Sequence, residues 1–413
     1  MAFLSNIIPY LILLFVVVLS VRKPVYLLLI PFLMSFRQSI FFENVKIFAF
    51  PGRFSPDILL LVWIILIWIV VKTIYNSKYV SSQPLYSKIV INYMDAAVIG
   101  LALLSAIGLF RVFRSYIFVE EVIDQFLVMM SLFIGYFIVK DCSRYFRLET
   151  LSRFLLILVI INSIASILFI LHQGLHIDIY QDEEYLSEVF GGEIITRSFS
   201  FMPKLCFFSI AYLLVFRKSQ SLAYTSLLLI NLLALFISYT RSFIIIAILI
   251  IVLFYIVQAY KSKDLMKFFK SFLVISLSTL LIFFIVSKVF PANTEYLINR
   301  FVGLTNNPND IYSNSMLYRF MQTGSVLQKI DADNLVLGYG PLTEGMSPLV
   351  ERMRVATWDL VWTGVIFRWG FLGLLLFLMI YWVGIQKSFR LAVLDNSILS
   401  RLSLVLGLYA VSQ

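Results

Sequence analysis

Windows of roughly 20 apolar residues, long enough to cross about 30 Å of hydrocarbon as helix, recur along the whole chain. They fall at about 7–21, 24–36, 58–75, 93–110, 123–140, 154–172, 204–217, 222–240, 242–259, 271–290 and 360–383, and a last, shorter stretch begins near Leu402. Hydrophobic residues make up 61% of the 413 and charged residues only 14%, against about 25% charged in soluble domains. Water could not accommodate that much apolar surface, so the solvent is lipid. There, every backbone polar group must be satisfied within its own segment, which selects helices. The expectation is an all-α, polytopic integral membrane protein with about 11–12 transmembrane helices. It would form a single transmembrane domain over residues 1–413. The first stretch is expected to be an anchor, since no Lys or Arg precedes it and no small-residue cleavage site follows Ser20.

Loop charges set the orientation. Arg22/Lys23, Lys72/Lys78/Lys88, Lys140/Arg144/Arg147/Arg153, Arg217/Lys218, Lys261/Lys263/Lys267/Lys270 and Lys387/Arg390/Arg401 fall on alternate connections. They are more than half of the 33 basic residues, and cytoplasmic loops collect such charge. The net charge of +10 is therefore read as membrane sidedness, with no nucleic-acid partner. By this counting the N-terminus is outside, unless 7–36 is a hairpin that does not cross twice. Two outer loops are long, 173–203 and 291–359, the second between the tenth and eleventh membrane helices. Connections of that length are usually functional or disordered; helical patches such as 316–330 favour an ordered cap over the bundle. Gly338-Tyr339-Gly340-Pro341 is read as a turn. Cys142, in a basic loop, and Cys206, in an apolar segment, cannot make a disulfide framework.

Ionisable groups at membrane depth are functional suspects. Arg241, in Ser238-Tyr239-Thr240-Arg241-Ser242 between two apolar helices, is either an interfacial arginine that snorkels or an anion clamp whose planar fork suits phosphate. Arg197 stands among the carboxylates of the first long loop and precedes a Phe/Pro descent into a helix, on the same side as Arg241. It is a solvated salt-bridge partner or part of that clamp. Asp359 is expected at the outer mouth of the last full helix, with Arg368 roughly 13 Å deeper at 1.5 Å per residue. Nine residues at 100° each leave the two facing opposite ways unless the helix is distorted. Arg368 must face protein, as a structural pairing residue or a binding residue. Trp358 and Trp362 (with Trp369) are read as interface packing or as a sugar-stacking platform. His172 and His176 share a helical spacing but lack further ligands for a metal, and no nucleotide, metal or cofactor motif is present.

The chain resembles the superfamily of bacterial O-antigen polymerases and O-antigen ligases. The resemblance is carried by 195–203, 236–246, 317–340 and 357–377, in particular Arg197 before its Phe/Pro stretch, Arg241 at a tight helix pair, Tyr318-Arg319 with Leu337-Gly338-Tyr339-Gly340, and Gly370-Phe371-Leu372-Gly373. The ligases have a histidine eleven residues before the first glycine of that last motif, where this chain has Asp359. It therefore looks more like a polymerase. The resemblance implies a metal-independent glycosyltransferase without cofactor in the bacterial inner membrane, its site facing outside. The donor would be a growing glycan on undecaprenyl diphosphate, the acceptor a lipid-linked repeat unit. Asp359, Arg197 and Arg241 would be catalytic, and Arg319, Arg368, Trp358 and Trp362 would bind substrate. Besides these lipid-linked oligosaccharides and the bilayer, a chain-length regulator and a flippase are implied partners. Two alternatives stand beside this: ligase-type transfer to another acceptor, and, in a different class, a flippase or transporter. A membrane scaffold would leave two arginines on one side unexplained.

Overall fold

The computed structural model describes residues 92–113, 119–142, 147–175, 185–190, 193–198, 201–216, 222–238, 240–262, 332–340, 361–394 and 397–412, with scattered single positions between them. Most of the expected spans 7–21, 24–36 and 58–75, and most of the loop 291–359, lie outside the described residues. The described elements are α1 (Tyr93–Phe113), α2 (Val119–Cys142), α3 (Leu148–Leu175), β1 (Tyr185–Phe190), β2 (Glu193–Ser198), α4 (Phe201–Phe216), α5 (Leu222–Ile237), α6 (Arg241–Ser262), α7 (Ala332–Leu337), α8 (Val361–Leu394) and α9 (Ile398–Ser412).

The chain is almost entirely helical, and four helices are long and apolar enough to cross a membrane: Tyr93–Val112, Leu148–Leu171, Ser242–Ser262 and Gly364–Leu394. Three shorter apolar helices run Leu205–Phe216, Leu222–Ile237 and Ile398–Val411. The exposed faces are compatible with lipid. On α6, Ile250 and Ala247 are buried while Ile245, Ile248 and Ile256 are exposed, so both faces are apolar. A helix at the surface of a soluble protein carries polar residues on its outer face.

The exception to helix falls inside the loop expected at 173–203. There β1 and β2 pair antiparallel from Phe190↔Glu193 to Tyr185↔Ser198. The two residues between them in sequence are Gly191-Gly192, the type of pair that closes a two-residue hairpin. An all-helical reading omits this element.

Two compact units divide the chain. One comprises Met1–Pro31, Lys46–Phe146 and Pro308–Val383; the other Phe32–Val45, Arg147–Asn307 and Gly384–Gln413. In the first, α1 and α2 lie antiparallel, and Val98, Leu101, Leu104, Met129 and Phe133 pack with Val365 and Trp369 of α8. In the second, α3, α4, α5, α6 and α9 surround a core that includes Val159, Phe207, Ile210, Leu235, Ile250 and Leu408. Inside that core three helices are tied by side-chain amides. Asn162 Nδ2 donates to Ser209 Oγ at 3.0 Å and to Asn231 Oδ1 at 2.9 Å. Asn231 Nδ2 donates to Ser163 Oγ at 2.8 Å. Where water is excluded, such bonds fix which faces of apolar helices meet.

Candidate functional site

In the first unit the site is built around a break in α8. Gly370 has φ 65° and ψ −169°, a region open essentially to glycine alone, so the helix ladder stops there. The carbonyls just before the break need new donors, because an unsatisfied buried carbonyl is costly. Tyr339 N donates to Phe367 O at 2.8 Å and Gly340 N to Arg368 O at 3.0 Å. The Gly338-x-Gly340 turn expected from sequence is thus also the plug that satisfies the broken helix. Gly338 and Gly340 have φ of 72° and 92°, and a Cβ on Gly338 would lie 2.4 Å from the Arg368 carbonyl. A Cβ on Gly370 would lie 2.2 Å from Val336 O, and one on Gly373 would lie 2.0 Å from Trp369 Cβ. Backbone meets backbone here, and the glycine spacing of 370 and 373 follows from that.

Two further elements hold the plug. Helix α7 ends in a left-handed cap, with Gly338 N donating to Asn334 O at 2.7 Å. From the last turn of α1, Arg111 Nη1 donates to Gly338 O at 3.1 Å and Nη2 to Asn334 Oδ1 at 2.6 Å. One turn further from that end of α1, Ser105 Oγ accepts from Trp369 Nε1 at 2.8 Å while donating to Leu101 O at 2.9 Å. The Tyr339 and Phe367 rings stack with centroids 5.0 Å apart. Arg368, half-buried, is therefore carried on the residue whose own carbonyl seats the plug. The helix is continuous from Val361 to Arg368, and the break lies after it. Asp359, whose phase against Arg368 sequence spacing sets half a turn away, lies outside the described residues, as do Arg319 and Trp358. Trp362 is the second residue of α8.

The other two expected arginines belong to the second unit. Arg241 is the first residue of α6. The turn before it is sealed by buried hydroxyls: Ser238 Oγ donates to Leu235 O at 2.7 Å and Thr240 Oγ1 to Ser238 O at 3.1 Å. An apolar cavity of about 200 Å³ lies between α5 and α6, lined by Leu232, Leu235, Ile244, Ala247, Ile248 and Ile251 among others. The α6 positions of that lining stand within about 120° of Arg241 around the helix and reach about 15 Å along it. Arg197 is placed in β2, opposite Leu186 of β1.

Sequence reasoning missed Asp95. It is 2% exposed and sits in the first turn of α1, accepting from Asn92 N at 2.9 Å, Tyr136 Oη at 2.9 Å and Lys140 Nζ. Asp95 N returns a bond to Asn92 Oδ1 at 2.9 Å, a reciprocal capping box. The pattern Asn92-x-x-Asp95 before an apolar run was the available signal. Next along α2, Asp141 Oδ2 accepts from Trp68 Nε1 at 3.0 Å and pairs with Lys72 at 3.3 Å. These carboxylates are well partnered and staple helix ends together. The described residues hold no group of three or more His, Cys, Asp or Glu placed to bind a metal ion. His172 is in α3, and His176 lies outside the described residues. Compared with known proteins, the chain matches no family model, no curated protein and no solved structure.

Proposed function

We propose that this chain is a multi-pass protein of the bacterial inner membrane and polymerises polysaccharide at its outer face. It would transfer a growing glycan from undecaprenyl diphosphate to a lipid-linked repeat unit, without metal or cofactor. The observation that carries the reading is Arg241. An arginine at the first position of a helix opposes the helix dipole, at a cost of about 0.3–1 kcal/mol. Here that position tops an apolar cavity on the same helical face. A cationic end over an apolar slot suits an anionic head group with a hydrocarbon chain, as lipid-linked diphosphate is.

In this mechanism Arg241 and Arg197 neutralise the charge that develops on the diphosphate as the glycosidic bond to it breaks. Preorganised donors stabilise such charge without reorganising at the moment of reaction. The leaving group is already good, so no nucleophilic side chain is needed. Asp359 takes the proton of the acceptor hydroxyl as general base. Arg319, Arg368, Trp358 and Trp362 hold the glycan or its head group.

A second reading, a lipid flippase, is favoured by one observation. The break at Gly370 makes α8 discontinuous, and discontinuous helices are a habit of transporters. The glycan of a strain lacking this chain separates the readings. Single capped repeat units mean polymerase loss, and uncapped lipid-linked polymer means ligase loss. Repeat units retained on the cytoplasmic leaflet mean that the flippase reading is right and this proposal wrong.

A further inference from the structure

Arg111 is the only described side chain that reaches both ends of the cap from which the plug springs. Its two nitrogens hold Gly338 O and Asn334 Oδ1, and Asn334 O and Gly338 N close the cap between them. The next two amides of the chain, Tyr339 and Gly340, are the donors to Phe367 O and Arg368 O. We propose that Arg111 is a positioning residue for Arg368, locking the Gly338–Gly340 turn into the break of α8 and so fixing the backbone from which Arg368 is presented. That Arg368 meets substrate rests on the function proposed above; the lock itself does not.

Three physical features support it. A guanidinium donates two bonds in one rigid plane, which a lysine cannot reproduce. The seat has no slack, since added Cβ atoms on Gly338 and Gly370 would fall within 2.4 Å of backbone across the contact; the turn is either seated or out. If it leaves, Phe367 O and Arg368 O lose their donors in apolar surroundings. The least costly way to satisfy them is to continue the helix, with Phe371 N and Leu372 N as donors. Gly370 would then leave its left-handed conformation, and the segment carrying Arg368 would turn relative to the rest of α8.

Amide hydrogen exchange on the full chain in lipid nanodiscs reads the lock without any substrate. In Arg111→Gln, exchange of the Tyr339 and Gly340 amides should rise by about ten-fold or more, and Phe371 and Leu372 should become more protected, with 95–105 unchanged. Arg111→Lys should fall between. If Arg111→Gln fails to insert, Asn334→Ala removes one arm of the fork and should give the same pattern in weaker form. Unchanged exchange at Tyr339 and Gly340 overturns the lock. With lipid-linked repeat units, Arg111→Gln should raise KM by about ten-fold and change kcat by less than about two-fold, since a shift of about 1 Å is enough for such losses. In an Arg368→Gln background the same substitution should add less than about two-fold, because residues acting through one another are not additive. Full additivity would overturn the assignment to Arg368. A wild type that binds no lipid-linked glycan would remove the proposed function and leave the exchange result to decide the lock.

Discussion

Replacing Gly370 by alanine should be among the most damaging single-atom additions this chain can suffer. The residue sits at φ 65° and ψ −169°, where a non-glycine residue is strained by about 1–3 kcal/mol. The added Cβ would stand 2.2 Å from Val336 O and 2.6 Å from Leu337 N, so the plug must retreat. Retreat breaks the bonds from Tyr339 N and Gly340 N to the carbonyls of Phe367 and Arg368, each worth about 0.5–1.5 kcal/mol net and more where the group stays buried and unpaired. The sum is about 3–6 kcal/mol, partly relieved if the helix closes through the break. The same helix supplies the control. Gly384 has nothing within 4 Å of its added Cβ, and Gly-to-Ala in a helix interior gains up to about 1 kcal/mol. Thermal unfolding of both variants in one detergent should therefore move in opposite directions. Equal midpoints for Gly370→Ala and Gly384→Ala would refute the reasoning.

Asp95→Asn keeps the cap but loses the ion pair to Lys140, whose side chain is 38% exposed and can rehydrate; a loss of about 1–2 kcal/mol is expected in the same unfolding assay. Asn231→Leu removes bonds to Ser163 and Asn162 and should destabilise the second unit by about 1–2 kcal/mol at roughly 0.6 per bond, seen as earlier proteolysis within 147–262. Tags after Lys261 and Lys387 should report cytoplasm and a tag near Asp182 the outside; labelling of Asp182 and Lys261 from one side contradicts the topology. Asp359→Asn should abolish turnover while lipid binding persists if the carboxylate is the base, and wild-type rates would end that role.

The helices were legible because lipid-spanning apolar windows carry their own lengths: α1, α3 and α6 begin and end within about six residues of the hydropathy edges. What escaped was set by contacts or by rules for other elements. The hairpin escaped because Gly191-Gly192 stood in a polar loop whose flanking residues have no strong alternation. Asp95 escaped because a search for charges deep in apolar segments passes over the first turn, where a cap is also a buried ion pair. Gly338 and Gly340 were legible as a turn, whereas their seat on α8 depends on a partner thirty residues later. Arg111 carried no signal at all, since an arginine at a helix end is ordinary until its acceptors are known. Of the expected site, Arg368 is described at side-chain level and Arg197, Arg241 and Trp362 by their place in the backbone.

The most direct measurement is polymerisation by the purified chain in nanodiscs given only lipid-linked repeat units. Wild type should yield a ladder of lengthening lipid-linked glycan without added metal. Arg241→Lys, which keeps the charge but loses the bidentate fork, should lose most of that ladder while still inserting. A near-normal ladder from Arg241→Ala, or none from wild type, would contradict the account.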